Sequence, residues 1–281
     1  MTAPDFVVIG HVVKDVREDT WRPGGTVTYA ATQASRLGLR ASVITRASAD
    51  VDLDEYLPDV CVHRTLSDET TTFENRYEKG IRVQHVWAQA PPVGPEDVPR
   101  ECRGARIVLL GPVLREVRPG MVKLFPNALV GFCAQGWLRE VQPNGLVVRR
   151  RWDAGESVRG AGVVVVSDED IEDDGDVLKK WEREAPVVVV TEGKGGARVY
   201  HEGRWRRIGA FPHEEADPTG AGDVFATAFV IALDETKSVA SAARFASAAA
   251  GLSIEAEGTA KVATRREIER VLAENPEVEL E

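Results

Sequence analysis

Two stretches of the chain, Phe6-Val7-Val8-Ile9 and Val163-Val164-Val165-Val166, place no polar residue between their apolar ones. A strand with one wet face alternates, so strands of this kind have to be covered on both faces. Arg106 to Gly111, Ala128 to Cys133 and Ala185 to Thr191 read as further strands, with helical segments alternating between them. That order predicts a mostly parallel sheet with helices on both sides. The helices are expected over Thr26 to Leu37, stopped by Gly38, then over Val224 to Leu233 and Ser238 to Ile254. A last helix starts at the capping box Thr264-Arg265-Arg266-Glu267 and stops near Asn275-Pro276. Residues 41–46 add a strand. Arg198-Val199-Tyr200 with Arg204 to Ile208 add a strand pair, and Asn144 to Arg150 a short extra strand. The 281 residues, 43% of them hydrophobic, suffice for a single α/β domain over 1–281.

One region keeps a different period. Thr70 to Tyr77 alternates, with Phe73, Asn75 and Tyr77 on one face and Thr72, Glu74 and Arg76 on the other. Glu78-Lys79-Gly80 is a turn, and Ile81 to Trp87 returns. A lone hairpin is not stable in water, so this one must pack on something. It is either an edge hairpin of the main sheet or a separate flap.

The net charge of −10, with no basic block beyond Arg149-Arg150-Arg151, argues against a nucleic-acid partner. No apolar run approaches the ~20 residues that span a bilayer, and residues 1–10 lack a signal-like pattern. Cys61, Cys102 and Cys133 are odd in number and far apart, as expected of reduced thiols in a cytoplasmic protein. Gly10 opens no G-x-G-x-x-G pattern, and Thr191-Glu192-Gly193-Lys194-Gly195-Gly196 is not a P-loop. Both dinucleotide and Walker-type sites are therefore set aside.

Chemistry concentrates in Asp217-Pro218-Thr219-Gly220-Ala221-Gly222-Asp223. A glycine-rich turn feeding a helix start leaves N–H groups without partners, which suits an anion. An acid at that point would repel a phosphate, unless it takes a proton while the anion is attacked. The pair therefore points to phosphoryl transfer to a hydroxyl. Lying at a helix N-terminus, Asp223 is expected to stay ionised and act as a weak base. Other polar groups sit at the carboxyl ends of strands, where open α/β sheets bind ligands: His11, Lys14 and Asp15; Gln135 and Arg139, which face either a ligand or solvent; and Ser167 with Asp168-Glu169-Asp170.

These seven residues resemble the C-terminal signature of the PfkB, or ribokinase-like, carbohydrate kinases, D-[TP]-x-G-A-G-D. The resemblance implies a three-layer α/β/α sandwich with a small β lid, drawn from roughly 60–90 and part of 11–25. It implies an ATP-dependent kinase whose base is Asp223, with Gly220, Ala221 and Gly222 as its anion hole. Asp15, Gly24 and Gly25 match the positions that hold a polyol. The family's Asn four residues after the glycine pair is Tyr29 here, a form nearer the myo-inositol kinase branch, so an inositol or related cyclitol is the expected acceptor. A sugar, sugar-acid or nucleoside acceptor, or an idle binding protein, are the alternatives. Gln135 and Arg139 extend the acceptor side. Ser167, Thr191, Gly193, Gly196, Asp217, Gly220, Gly222 and Gly258 would border ATP. The family's Asn-x-x-Glu magnesium motif is Ser167-x-x-Asp170 here, with Asp170 acting on Mg²⁺ through water. A monovalent cation and a homodimer through the lid complete the expectations.

Overall fold

The computed structural model describes residues 3–17, 20–78, 81–152, 158–171 and 175–281. Nine strands form the main sheet in the order β15-β14-β13-β12-β9-β8-β1-β4-β5. In chain order these are β1 (Phe6–Ile9), β4 (Ala41–Ala47), β5 (Cys61–Leu66), β8 (Ile107–Leu110), β9 (Leu129–Cys133), β12 (Val163–Ser167), β13 (Val187–Thr191), β14 (Ala197–His201) and β15 (Arg204–Ile208). Neighbours from β13 to β5 run parallel, and β14 and β15 close one edge as an antiparallel pair.

Side chains alternate across this sheet, and each face has its own core. Phe6, Val8, Val43, Leu109, Val165 and Val189 meet the helices α1 (Thr26–Arg36), α5 (Ala221–Thr236), α6 (Val239–Ser253) and α7 (Arg265–Glu274). Val7, Ile9, Ile44, Leu110, Val164 and Val188 face the other way, onto Met121, Phe125, Trp137 and Trp181. Trp181 belongs to α4 (Gly175–Glu184), while two short helices, α2 (Leu53–Tyr56) and α3 (Asp168–Ile171), lie in connections. Each fully buried aliphatic side chain contributes about 1.5–3 kcal/mol. Both faces must be covered to collect that, which is why the strands read as unbroken apolar runs. The second layer is less regular than the expected alternation. The segments flanking β9 are 3-10 turns, Pro119–Leu124 and Ala134–Leu138, because Pro119, Gly120 and Gly136 interrupt longer helices.

α5 is buried on nearly every side, from Val224 to Ala232, between α1, α6 and the sheet. An all-round apolar helix of this kind has only its ends available for chemistry. Its N-terminus points the Asp217–Asp223 turn to the carboxyl edge of the sheet.

A second sheet has the order β3-β2-β6-β7, from β2 (Val13–Arg17), β3 (Thr20–Gly24), β6 (Thr71–Glu78) and β7 (Ile81–Ala88). Residues 61–66 are not part of it: β5 pairs in parallel with β4 at the edge of the main sheet. The expected turn residues Lys79 and Gly80 lie outside the described residues. Phe73 packs on Val13, Val113 and Leu114, so the Phe73 and Asn75 face of β6 turns inward. Residues 139–141 and 147–149 pair as β10 (Arg139–Val141) and β11 (Val147–Arg149), the short extra strand having found its partner.

Candidate active site

The turn before α5 is built by its own polar groups. Thr219 N donates to Asp217 Oδ1 at 3.0 Å, and the amides of Ala216 and Asp217 both donate to Ile254 O, at 2.8 and 3.1 Å. Gly220 caps α5 with φ of 82°, a conformation costly for any residue with a Cβ. It is needed for a second reason: a Cβ there would lie 2.3 Å from Cδ1 and Cε1 of Tyr29. Ala221 N donates to Pro218 O at 3.2 Å, so this amide is already engaged. Gly222 and Asp223 stand in the first turn, where amides have no intrahelical acceptor. Their N–H groups and the helix dipole remain for an anion.

Asp223 is half-buried, not solvated. Burial pushes its carboxyl up to about 6. A hydrogen bond from Thr26 and the charge of Arg139 pull it down, and Asp170 pushes it up. A carboxyl near 6 is still ionised at pH 7, and is a stronger base than an unperturbed carboxylate. Desolvation is the largest influence on it, and Asp223 is a base of intermediate strength.

The acceptor-side residues meet the same point. Asp15 follows the end of β1 as expected and lies in β2, opposite Arg22 of β3. Its Oδ2 occupies the place of a side chain at Gly24, 2.0 Å from where a Cβ would stand. Gly25, with φ of 83°, caps α1 and approaches His11 O, 2.6 Å from its own Cβ position. Tyr29, on the first turns of α1, is only 4% exposed. Its phenol is held far above the ordinary range by burial first, then by Asp15, Asp223 and Asp217, with Arg17 opposing. Three carboxylates from three elements thus converge on one ring.

Four further polar residues cluster beside Asp223. Asp170 accepts from Ser167 Oγ at 2.6 Å and from Gln135 Nε2 at 3.1 Å, and pairs with Arg139 at 3.6 Å. Asp170 N donates back to Ser167 Oγ at 3.1 Å, so Ser167-x-x-Asp170 is also the cap of α3. A carboxylate engaged by three partners suits a hydrated cation reached through water and not direct ligation. Among the described residues no group of three acids, histidines or cysteines is placed to hold a metal ion directly.

Thr191 ends β13, and Gly193 and Gly196 lie in the turn after it with φ of 51° and 89°. Gly196 has a packing reason for being glycine, since its Cβ would meet Ile208 O at 2.0 Å. Gly193 and Gly258, with φ of 51° and 62°, have open space around them. Asp217 Oδ2 lies 3.5 Å from Arg17, and Glu257 is held by Arg17 at 3.4 Å and by Arg22. These pairs join the second sheet to the loop after α6.

Three contributors lie beyond the motifs. Thr26, beside Gly25, carries no signal beyond its place at a helix start. Glu116 is 1% exposed and accepts from His11 N at 3.0 Å, Val113 N at 2.9 Å and Leu114 N at 2.8 Å. It stands in for a missing strand and ties the β1 exit to the β8 exit. The Arg17 and Arg22 pairs with Glu257 span more than 230 residues and leave no local pattern. A separate cleft of about 530 Å³, lined by Lys14, Asp50, Asp68, Glu69 and Thr72, has an acidic rim that suits no phosphate.

Comparison with known proteins places this geometry. The model of the pfkB family carbohydrate kinases matches residues 161–265. Ribokinase of Bacillus subtilis is 44% identical over 85 residues, covering 30% of this chain and 29% of the relative. Inositol 3-kinase of Oryza sativa is 30% identical over 182 residues, covering 63% and 44%. The chain thus spans less than half the length of each of these two relatives. Among solved structures, a pyrophosphate-dependent kinase in the ribokinase family, complexed with a pyrophosphate analog and myo-inositol, superposes with a TM-score of 0.79. It is 24% identical, over 95% of this chain and 99% of that one. Ribokinase of Arabidopsis thaliana, complexed with ribose and ATP, gives 0.75 at 20% identity over 96% and 99%. The fold is ribokinase-like.

Proposed function

Because this chain belongs to the pfkB family of carbohydrate kinases, we propose that it transfers a terminal phosphoryl group to a hydroxyl of a small polyol, myo-inositol or a related cyclitol. The observation that carries the reading is Asp223, a desolvated carboxylate in the first turn of α5, whose charge acts on Tyr29 together with that of Asp15, itself laid against Gly24. The rice inositol 3-kinase relative and a fold neighbour complexed with myo-inositol support the choice of acceptor. Fold neighbours include one complexed with ATP and one that is pyrophosphate-dependent, so the fold admits either donor.

The acceptor lies under the second sheet, which acts as a lid and keeps water from the donor. Asp15 and the backbone of Gly24 and Gly25 bind its hydroxyls. Tyr29, protonated throughout the physiological range, walls the pocket and holds Gly220 in place. Asp223, oriented by Thr26, takes the proton of the attacking hydroxyl. With a carboxyl near 6 it is ionised at pH 7 yet basic enough to help. The amides of Gly222 and Asp223 receive the charge of the transferring group, the larger need in a loose phosphoryl transition state. Mg²⁺, when bound with the donor, would neutralise phosphate charge, with Asp170 and Ser167 holding its waters. Arg139 faces both Asp223 and Asp170.

Phosphorus NMR with Mg-ATP and with Mg-pyrophosphate, against myo-inositol, other cyclitols, ribose, fructose and cytidine, tests the assignment. One acceptor is expected to yield a phosphate monoester. Asp223→Asn is expected to lower kcat by ~10²–10⁴. No monoester with any acceptor and either donor would overturn it.

A further inference from the structure

In an in-line transfer the leaving group extends from the helix terminus on the side opposite the attacking hydroxyl. Here the acceptor side is Asp15, Gly24 and Tyr29. The other side is bounded by two stretches that flank the signature: residues 209–217 before it, and the end of α6 with the loop after it. A nucleoside leaving group needs a slot between them. In this chain the two stretches are tied to each other by their own side chains and backbone.

His213, whose side chain is 9% exposed, reaches across and lies on the backbone of Gly251. A Cβ at Gly251 would stand 2.3 Å from His213 Cδ2, so the ring rests directly on α6. Its Nδ1 pairs with Glu255 Oε1 at 2.8 Å, and Lys261 holds the other oxygen of Glu255 at 3.7 Å. Ser247 Oγ donates to Gly209 O at 2.9 Å, and Ile254 O takes both the Ala216 and the Asp217 amides. Further out, Glu257 is clamped by Arg17 and Arg22. An aromatic base requires about 3.5 Å on each of its faces, and the imidazole of His213 already takes the contact over Gly251.

The α5 terminus itself carries the first-turn amides of Gly222 and Asp223, with the Arg17 guanidinium 3.5 Å from Asp217 beside it. We propose that the donor of this enzyme is a compact inorganic diphosphate, with His213 and Glu255 filling the space that a nucleoside would need. The inference rests on the kinase reading above. In the step it describes, the acceptor oxygen bonds to one phosphorus of pyrophosphate while the bridging P–O bond breaks. The bridging electron pair leaves with orthophosphate, and the hydroxyl proton passes to Asp223.

Isothermal titration of the full chain, in magnesium, with methylenediphosphonate and with the non-hydrolysable ATP analogue AMP-PNP tests the donor without requiring the acceptor. The diphosphonate is expected to bind at least tenfold more tightly than AMP-PNP. Substituting both side chains, His213→Ala with Glu255→Ala, is expected to narrow that ratio at least threefold by opening the slot. AMP-PNP binding to the wild type as tightly as the diphosphonate would overturn the donor assignment and leave the kinase reading standing. Binding of neither compound would overturn both. His213→Ala alone, retaining the Glu255 and Lys261 pair, provides a folded check if the double variant is unstable.

Discussion

The ring of Tyr29 lies against the backbone of Gly220, so closely that one added methyl at Gly220 would overlap it at 2.3 Å. Tyr29 stands in the first turn of α1 and Gly220 caps α5, so this contact sets how closely the two helix starts approach. Gly220→Ala should lose stability through both the positive φ, about 1–2 kcal/mol, and the overlap. Removing the ring with Tyr29→Ala should cost about 3–4 kcal/mol alone. The double variant should be more stable than the sum predicts by at least about 1 kcal/mol. Urea melts of the four proteins would measure this, and strict additivity would mean that the contact carries no strain.

Asp223 makes opposite predictions for activity and stability. As a base in the free enzyme it should give kcat/KM rising with pH up to about 6 and level above it. For stability the sign is reversed. Below 3.8 the carboxyl is neutral in both folded and unfolded chains. Between 3.8 and about 6 only the unfolded chain ionises, so the fold loses stability as pH rises, and above 6 the loss is complete. Asp223→Asn should therefore be the more stable protein at pH 8, by about 1–2 kcal/mol after allowance for partial exposure. The advantage should shrink toward pH 4. Thermal melts at both values would reveal it, and a less stable variant at pH 8 would show that burial does not govern this carboxyl.

Gly24→Ala should act on the acceptor alone. The new methyl takes the position of Asp15 Oδ2 and must push the carboxylate off β3. The acceptor KM is expected to rise at least tenfold while donor binding by calorimetry stays within about twofold. Equal losses on both sides would point to a collapse of the second sheet.

Glu116→Ala should destabilise the protein by about 2–4 kcal/mol, because three buried amides, of His11, Val113 and Leu114, lose their acceptor together. Glu116→Gln, keeping one carbonyl oxygen, should recover roughly half. Chemical denaturation would separate the two, and a neutral alanine variant would mean that water replaces the carboxylate.

The sheet was legible because doubly covered strands leave an unmistakable apolar run, and β1, β12 and β13 lie within a residue or two of their expected bounds. The capping box at Thr264 and Glu267 formed as its spacing implies. The regions that escaped depend on distant partners. Residues 61–66 alternate weakly and gave no sign that β4 would claim them for the main sheet. The residues around Asp15 gave no local strand pattern, because β2 acquires its strand character only by pairing with β3 and β6. Thr26, Glu116 and Glu257 are single polar residues whose partners come from far along the chain. The rise of the Asp223 carboxyl could not be foreseen, because a helix dipole can be read from local sequence, whereas burial cannot.

The second sheet also has a history in time. Val13 of β2 pairs in parallel with Thr71 of β6, and β4 and β5 are made in the interval. During synthesis the first hairpin, β2 with β3, must wait about 3–12 s for its partner to leave the ribosome. It spends that interval with one edge unpaired, Asp15 already laid against Gly24 and nothing yet above it. The order of emergence leaves the nascent β2–β3 hairpin open to capture by chaperones or by a neighbouring chain, and β6 joins it when three of the nine strands of the main sheet, β1, β4 and β5, have been laid down.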